Sequence, residues 1–407
     1  MRWAFLSFCL WLSACEGERK KSPVGILSSS ASEPRSRMVR SSWHAFREKE
    51  LPQLRSIRWA VVVHRPTYTL IDSLLAEGVS IIRIYAPEHG IFGEKAAGAK
   101  VSDTLYRGIP VLSLYGNRKG PTAAELRDVE GLLFALRDVG VRHYTYLSTL
   151  VYVLRVAAEV QVPVWVLDFP NPHAHYSYGP VLDSSLFSFV GMHPIPLVPG
   201  LTIGEYARLL VGEGWVPSVK LHVVPWEGWV RGRSLPREAP FFTEPPSPAL
   251  RDTLAIELYP ILGWYEGTHA VSVGRGTDAP FHQVGLPASY PLPRWDTVLF
   301  GYRLRPVRFQ PMGEKTIYQG WRITRQYPGP IHPDSLFRMG YFLLRAVRTA
   351  HTSAEEFYQA EFFDKLFGTP LLRWMEEKQL PIDTLYESFR APATWEALRQ
   401  KYQLYPD

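Results

Sequence analysis

The sequence predicts an α/β fold: a Rossmann-like parallel sheet with helices on both faces, followed by a smaller α+β C-terminal auxiliary domain. Three observations carry this. From residue 58 to about 168, short apolar runs alternate with helical patterns. The runs are almost continuously apolar, as strands buried on both faces are, rather than alternating polar and apolar. Beyond residue 300 the pattern gives way to two amphipathic helices.

The elements follow in order. "WAVVV" is a β-branched strand, and "TLIDSLLAEG" is a helix stopped by Gly78. "VSIIRIY" and "IPVLSLYG" are the second and third strands. "PTAAEL" starts a helix, with Thr122 and Glu125 in capping-box spacing. "GLLFAL" is the fourth strand, "YLSTLVYVLRVAAEVQ" a helix and "VPVWVLD" the fifth strand. After residue 180 the chain is mixed and Pro-rich, and Thr202 and Glu205 in "TIGE" repeat the capping-box spacing. The two late helices are "PDSLFRMGYFLLRAVRTA" and "SAEEFYQAEFFDKLFG", the second closed by Gly368. There is no internal repeat.

A chain of 407 residues has room for two or three domains at roughly 100–200 residues each. The expected division is 1–15 a lipoprotein signal peptide, 16–50 a flexible tether, 51–290 the Rossmann-like catalytic domain and 291–407 the auxiliary domain. The signal reading rests on Arg2, the apolar "WAFLSFCLWLSA" and the "LSAC" lipobox, which makes Cys15 the lipidated residue. Cys9 would leave with the signal, so the mature chain keeps no cysteine pair for an internal disulfide. The expected location is the bacterial cell envelope, held to the membrane through the N-terminal lipid only. Residues 16 to 50 are rich in Ser, Arg, Pro and Lys without an apolar period, as a tether is. The net charge of +6 suits an anionic substrate. No basic stripe with interleaved aromatics points to nucleic acid.

Open α/β sheets bind ligands beyond the carboxyl ends of their strands. Three polar segments fall there: "APEHGIFGE", "RDVGVRHYTY" and "DFPNPHAHY". The first places Glu88 and His89 at the exit of a buried strand. A carboxylic acid on such a loop is partly desolvated, which favours the protonated form a general acid needs. Glycoside hydrolysis pairs such an acid with a second carboxylate, for which Asp138, Asp168, Glu266 and Asp278 are the candidates. The Gly-rich "GRGT" lets backbone approach a ligand and brings Arg275 and Thr277. No GxGxxG follows the first strand, so a dinucleotide site is not expected. His89, His143, His173 and His175 fall on the rim but lack the helical spacing of metal ligands, and no metal or other cofactor is expected. Trp226 and Trp229 in "PWEGWVRGR" offer sugar-binding faces, with core packing the commoner use.

The motifs "APEHGIFGE", "GIPVLSLYG", "DVGVRHYTYLSTL", "VLDFPNP", "PGLTIGEYA" and "EGTHAVSVGRGTDAPF" occur in this order. In them the chain resembles the exo-β-N-acetylmuramidase family, from about residue 58 to the C-terminus. The resemblance implies a Rossmann-like domain, an auxiliary domain and a cleft between them. It implies removal of N-acetylmuramic acid from the non-reducing end of peptidoglycan fragments, with Glu88 as the catalytic glutamate. Asp138 is then the first choice as helper. The substrate-binding candidates are His89, Arg142, Tyr144, Asp168, Asn171, Glu266, Arg275 and Thr277. The chain departs from the family pattern at Ala135, Arg137, Phe169, Ala249 and His269. Phe169 stands where an Arg is usual, and Arg137 is a candidate to replace that cation. The alternative is a peptidoglycan-binding lipoprotein with altered or lost catalysis.

Overall fold

Strand β1 (Arg58–Val63) shows why a sheet forms here. Trp59, Val61 and Val63 join one apolar core with Leu70, Leu74, Leu133 and Trp165. Ala60 and Val62 join another with Leu132, Phe134, Leu150 and Val164. Both faces of the strand are buried, which is what the unbroken apolar run requires. The computed structural model describes residues 39–407 except 89, 93–102, 234–241, 328, 352, 382 and 384–388. The signal-like segment, Cys15, most of the tether and His89 therefore lie outside the described residues.

The first sheet has seven strands in the order β3-β4-β2-β1-β5-β6-β9. They are β2 (Ser80–Ala86), β3 (Thr104–Tyr106), β4 (Ile109–Ser113), β5 (Gly131–Ala135), β6 (Val164–Leu167) and β9 (Leu221–Val224) around β1. All neighbours are parallel except the edge pair β3–β4. The five expected strands are β1, β2, β4, β5 and β6. The two edge strands β3 and β9 are additional: they are short and mostly half-exposed, so they leave no apolar run to read. β7 (Tyr178–Val181) and β8 (Pro196–Val198) form a separate hairpin-like pair.

"PTAAEL" makes only a single 3-10 turn, Ala124–Leu126. The capping bonds form, Thr122 N–H to Glu125 Oε2 at 2.9 Å and Glu125 N–H to Thr122 Oγ at 3.3 Å. β5 then begins at Gly131 and leaves no length for a helix. The second capping box does start a helix, Ile203–Gly212, with Thr202 and Glu205 in the reciprocal bonds.

Part of the expected tether is folded. Ser42–Lys49 is a helix whose N-cap Ser41 accepts a bond from the His44 amide. Trp43, Ala45 and Phe46 are buried in the second core, and Ser42 Oγ donates to the Asp168 carbonyl at 2.8 Å. Charged residues on the outer face of this short helix obscure its apolar trio in the sequence.

The second sheet is antiparallel, in the order β10-β13-β12-β11. It comprises β10 (Gln283–Pro287), β11 (Thr297–Leu299), β12 (Tyr302–Phe309) and β13 (Tyr318–Arg325). β10, before residue 290, belongs to this sheet. The chain end also returns to the first domain: Tyr405 Oη donates to Asp168 Oδ2 at 2.6 Å across most of the sequence. The last predicted helix is broken into Ala354–Phe357 and Ala360–Phe367, because Tyr358 between them bridges to Thr268. Gly368 ends it in the left-handed conformation, as expected. Among the described residues no helix is long and apolar enough to cross a membrane.

Candidate active site

The chain builds its sheet outward from β1, first through β2 and β4 to one side, then through β5, β6 and β9 to the other. The order reverses between β1 and β5, and the loops leaving their carboxyl ends diverge to open a crevice. Thr67, just past β1, ties the two ends together by donating to the Ala135 carbonyl at 2.6 Å. Glu88 leaves β2, the neighbour of β1, in a tight turn closed by the Gly90 amide on the Pro87 carbonyl at 3.1 Å. Gly90 has a φ of 72°, which suits it to that turn.

A cleft of about 270 Å³ opens there. Its walls include Glu88, Lys119, Tyr144, Tyr146, Glu266 and Arg275. Glu88 is half-buried and also faces a small recess with His64 and Tyr146. The floor is aromatic. Tyr144 lies 4.6 Å from Tyr146 and 6.0 Å from Tyr259 between ring centroids, and His64 meets Tyr146 edge-on at 5.2 Å. Burial holds the Tyr146 and Tyr259 phenols well above their ordinary pKa, and the charge on Glu88 adds to this. These hydroxyls are therefore proton-bearing donors. Tyr144 spends its own on the Pro246 carbonyl, at 3.0 Å.

The far wall comes from the C-terminal half. Glu266 and Arg275 form an ion pair, with the guanidinium 4.8 Å from the Phe281 ring centroid. Burial works to lower the Arg275 pKa, and the Glu266 carboxylate, helped by Glu88, more than reverses it. His143 behind them is neutral: burial first, then the Arg142 charge, push it down to about 3. A half-buried carboxyl facing a polar cleft with tyrosine donors and an apolar floor is suited to protonating the leaving oxygen of a sugar.

The chain has known relatives in sequence and in fold. Residues 60–254 match the N-terminal domain of exo-beta-N-acetylmuramidase NamZ, and residues 257–405 match its C-terminal domain. The chain belongs to the NamZ family. A relative, the peptidoglycan beta-N-acetylmuramidase NamZ of Bacillus subtilis, is 32% identical over 339 residues, covering 80% of each chain. Two crystal structures of DUF1343 family proteins from Bacteroides fragilis have TM-scores of 0.73 and 0.76, at 27% and 26% identity. Each covers 91% of this chain. The NamZ family is one of glycosidases.

Within this NamZ framework the expected site residues divide. Glu88, Tyr144, Glu266 and Arg275 share the cleft. Asp138 does not: it lines an adjoining cavity of about 440 Å³, and Leu250 borders both spaces. Its Oδ1 accepts the Gly140 amide at 2.6 Å, and burial pushes its pKa up to about 7. Asp278 is exposed and paired with Arg322. Glu266 is thus the second-carboxylate candidate that stands beside Glu88.

Four expected ligands of the sugar are structural instead. Arg142 is buried and donates to the carbonyls of Pro180, Ile195, Leu366 and Phe367. Asp168 is fully buried and accepts from Thr202 Oγ, the Gly204 amide and Tyr405 Oη. Asn171 is buried, bonding the Leu201 carbonyl and the His173 amide. Thr277 closes its own turn onto the Gly274 carbonyl at 2.6 Å. The rim histidines diverge as well: His173 bonds Tyr176 and the Ile256 carbonyl, while His175 bonds the Ile331 carbonyl. Among the described residues no group of three or more His, Cys, Asp or Glu stands where it would hold a metal. Trp226 and Trp229 are buried with Tyr405.

Of the departures from the family pattern, Arg137 lines the adjoining cavity. Arg137 sits 4.7 Å over the Phe242 ring, and Phe169 packs on the same ring at 6.3 Å. Arg137 and Phe169 thus share an aromatic neighbour, while the Arg137 charge also reaches Tyr144 and Tyr146 of the Glu88 cleft. His269 is exposed. Sequence reasoning missed His64, Tyr146, Tyr259 and Lys119. Lys119 was within reach, since it lies on the strand-end loop after β4, to which the same rim rule applies.

Proposed function

We propose that this chain is a glycoside hydrolase releasing N-acetylmuramic acid from the non-reducing end of peptidoglycan fragments. Family membership and the name of the Bacillus subtilis relative support the substrate. The observation that carries the mechanism is the position of Glu88. It is a half-buried carboxyl on the loop after β2, in a cleft where Glu266, the other carboxylate among the described lining residues, is committed to Arg275. Glu88 gives its proton to the glycosidic oxygen as the C1–O bond breaks.

With Glu266 neutralised and Asp138 in the next cavity, the sugar's own acetamido oxygen is the best-placed nucleophile. It bonds to C1 as the leaving group departs. Water then attacks C1, loses a proton to the Glu88 carboxylate and restores the acetamido group. Lipid attachment at Cys15 would hold the enzyme at the envelope membrane, where such fragments arise. Labelling with a radiolabelled fatty acid tests this: the wild type should incorporate label and Cys15→Ala should not.

The functional test is mass spectrometry of muropeptide fragments carrying N-acetylmuramic acid at the non-reducing end. The expected product is the free sugar, one residue per chain end. Binding of the fragments with no sugar released would favour a binding protein and overturn the hydrolase reading.

A further inference from the structure

N-acetylmuramic acid differs from N-acetylglucosamine by a lactyl ether that carries a carboxylate. A site that selects the first must present a cation that is not already neutralised. The described walls of the Glu88 cleft hold two permanent cations, Lys119 and Arg275. Arg275 is paired with Glu266. His143 is neutral, and Arg142 behind the cleft is used up on backbone carbonyls.

Lys119 differs from all of these. Its ammonium lies 4.3 Å from the Phe189 ring centroid and 5.6 Å from that of Tyr115, two aromatic residues that line the same cleft. No salt bridge to a described carboxylate is formed, whereas its neighbour Arg118 pairs with Glu125 at 3.1 Å. The backbone that carries it is fixed. Gly120 rests on the Tyr146–Glu159 helix so closely that a Cβ there would come within 2.7 Å of Tyr152 Cβ. The two rings hold the ammonium itself by cation–π attraction, which fixes its place on the cleft wall.

We infer that Lys119 is the specificity-determining residue that receives the lactyl carboxylate of the sugar. This rests on the muramidase reading above, and it places the lactyl arm toward the β4 loop, with Glu88 at the glycosidic oxygen. A charge-assisted bond of this kind corresponds to about a 10- to 100-fold preference for the muramic over the glucosamine sugar.

The test is calorimetric binding of two hydrolysis-resistant ligands, the methyl β-thioglycosides of N-acetylmuramic acid and N-acetylglucosamine. Wild type, Lys119→Met and Lys119→Arg are compared, with urea unfolding as a check on folding. The expected result is preferential binding of the muramic ligand by wild type and Lys119→Arg, weakened by 0.5 M salt. Lys119→Met should bind the two equally, with glucosamine affinity unchanged. A wild-type preference that survives in Lys119→Met overturns the assignment of Lys119 alone. Equal loss of both ligands in folded Lys119→Met also overturns it, as a general packing role. No wild-type preference for the muramic ligand overturns both the assignment and the substrate. Preference without any turnover of cleavable muramides sinks the hydrolase reading and leaves the Lys119 assignment standing.

Discussion

Arg142 offers a quantitative test, because the sequence assigns it to the sugar and the structure assigns it to the fold. Its Nη1 donates to the Pro180 and Ile195 carbonyls at 3.0 Å each, and its Nη2 to Phe367 at 2.7 Å and Leu366 at 3.3 Å. Leu366 and Phe367 end the Ala360–Phe367 helix, where the last carbonyls lack intrahelical partners. The guanidinium therefore caps a helix of the second domain from a loop of the first. Two glycines make room for it: a Cβ on Gly368 would lie 2.4 Å from Nη2, and one on Gly191 3.2 Å from Cδ. In Arg142→Met the stem stays filled, but Phe367 loses its donor and three other carbonyls lose one. Ile195 keeps the Leu182 amide at 3.1 Å and Leu366 keeps His143 Nδ1 at 3.4 Å. Phe367 and Pro180 each lose this side-chain donor, and at about 1–3 kcal/mol each the loss is about 2–6 kcal/mol. Urea unfolding of the two proteins should show this difference. Affinity of the still-folded variant for a muramide should stay within about twofold of wild type. A variant of unchanged stability that no longer binds the sugar would refute the structural assignment.

Asp138 gives a pH signature. Its folded pKa of about 7 lies above the ordinary 3.8, so the folded chain keeps a proton the unfolded chain has released. The contribution is complete below 3.8 and is lost as pH rises through about 7, a span of at most about 4 kcal/mol. Asp138→Asn keeps the Gly140 bond, so its stability measured by urea from pH 4 to 8 should fall less steeply; parallel curves would contradict this. Gly140→Ala should destabilise by about 1–3 kcal/mol in thermal unfolding. The reason is a φ of 79° and a Cβ that would lie 2.3 Å from Asn171 Oδ1, and an unshifted midpoint would count against it. Tyr405→Phe removes the bonds to Asp168 and the Trp226 amide and should cost about 1–2 kcal/mol in the same assay. Wild-type stability in that variant would show that the C-terminal clasp is idle.

Much of the fold is legible because parallel strands buried on both faces write unbroken apolar runs. β3 and β9 are not, since an edge strand of three or four half-exposed residues carries no such run. The Ser42–Lys49 helix hides for a related reason: its buried Trp43 and Phe46 are diluted by charged neighbours. Arg275 is legible from its Gly-rich loop. The rim rule pointed to Glu88 and Tyr144 because position along the chain fixes the strand end a residue follows. It does not fix which way the side chain points. Arg142 and Asp168 follow strand ends too, but they turn inward to partners hundreds of residues away, Phe367 and Tyr405. No local pattern records those distances. Tyr259 shows the opposite gap, a side chain brought to the cleft without a motif that announces it.

The central claim is that Glu88 protonates the leaving oxygen. The most direct measurement compares Glu88→Gln with wild type on two muramides, one with a sugar leaving group and one with 2,4-dinitrophenolate, which departs without a proton. The account predicts a loss of about 100- to 10,000-fold in kcat on the sugar and a far smaller loss on the dinitrophenyl substrate while the acetamido step limits the rate. Equal losses on both, or full activity on the sugar, would contradict it.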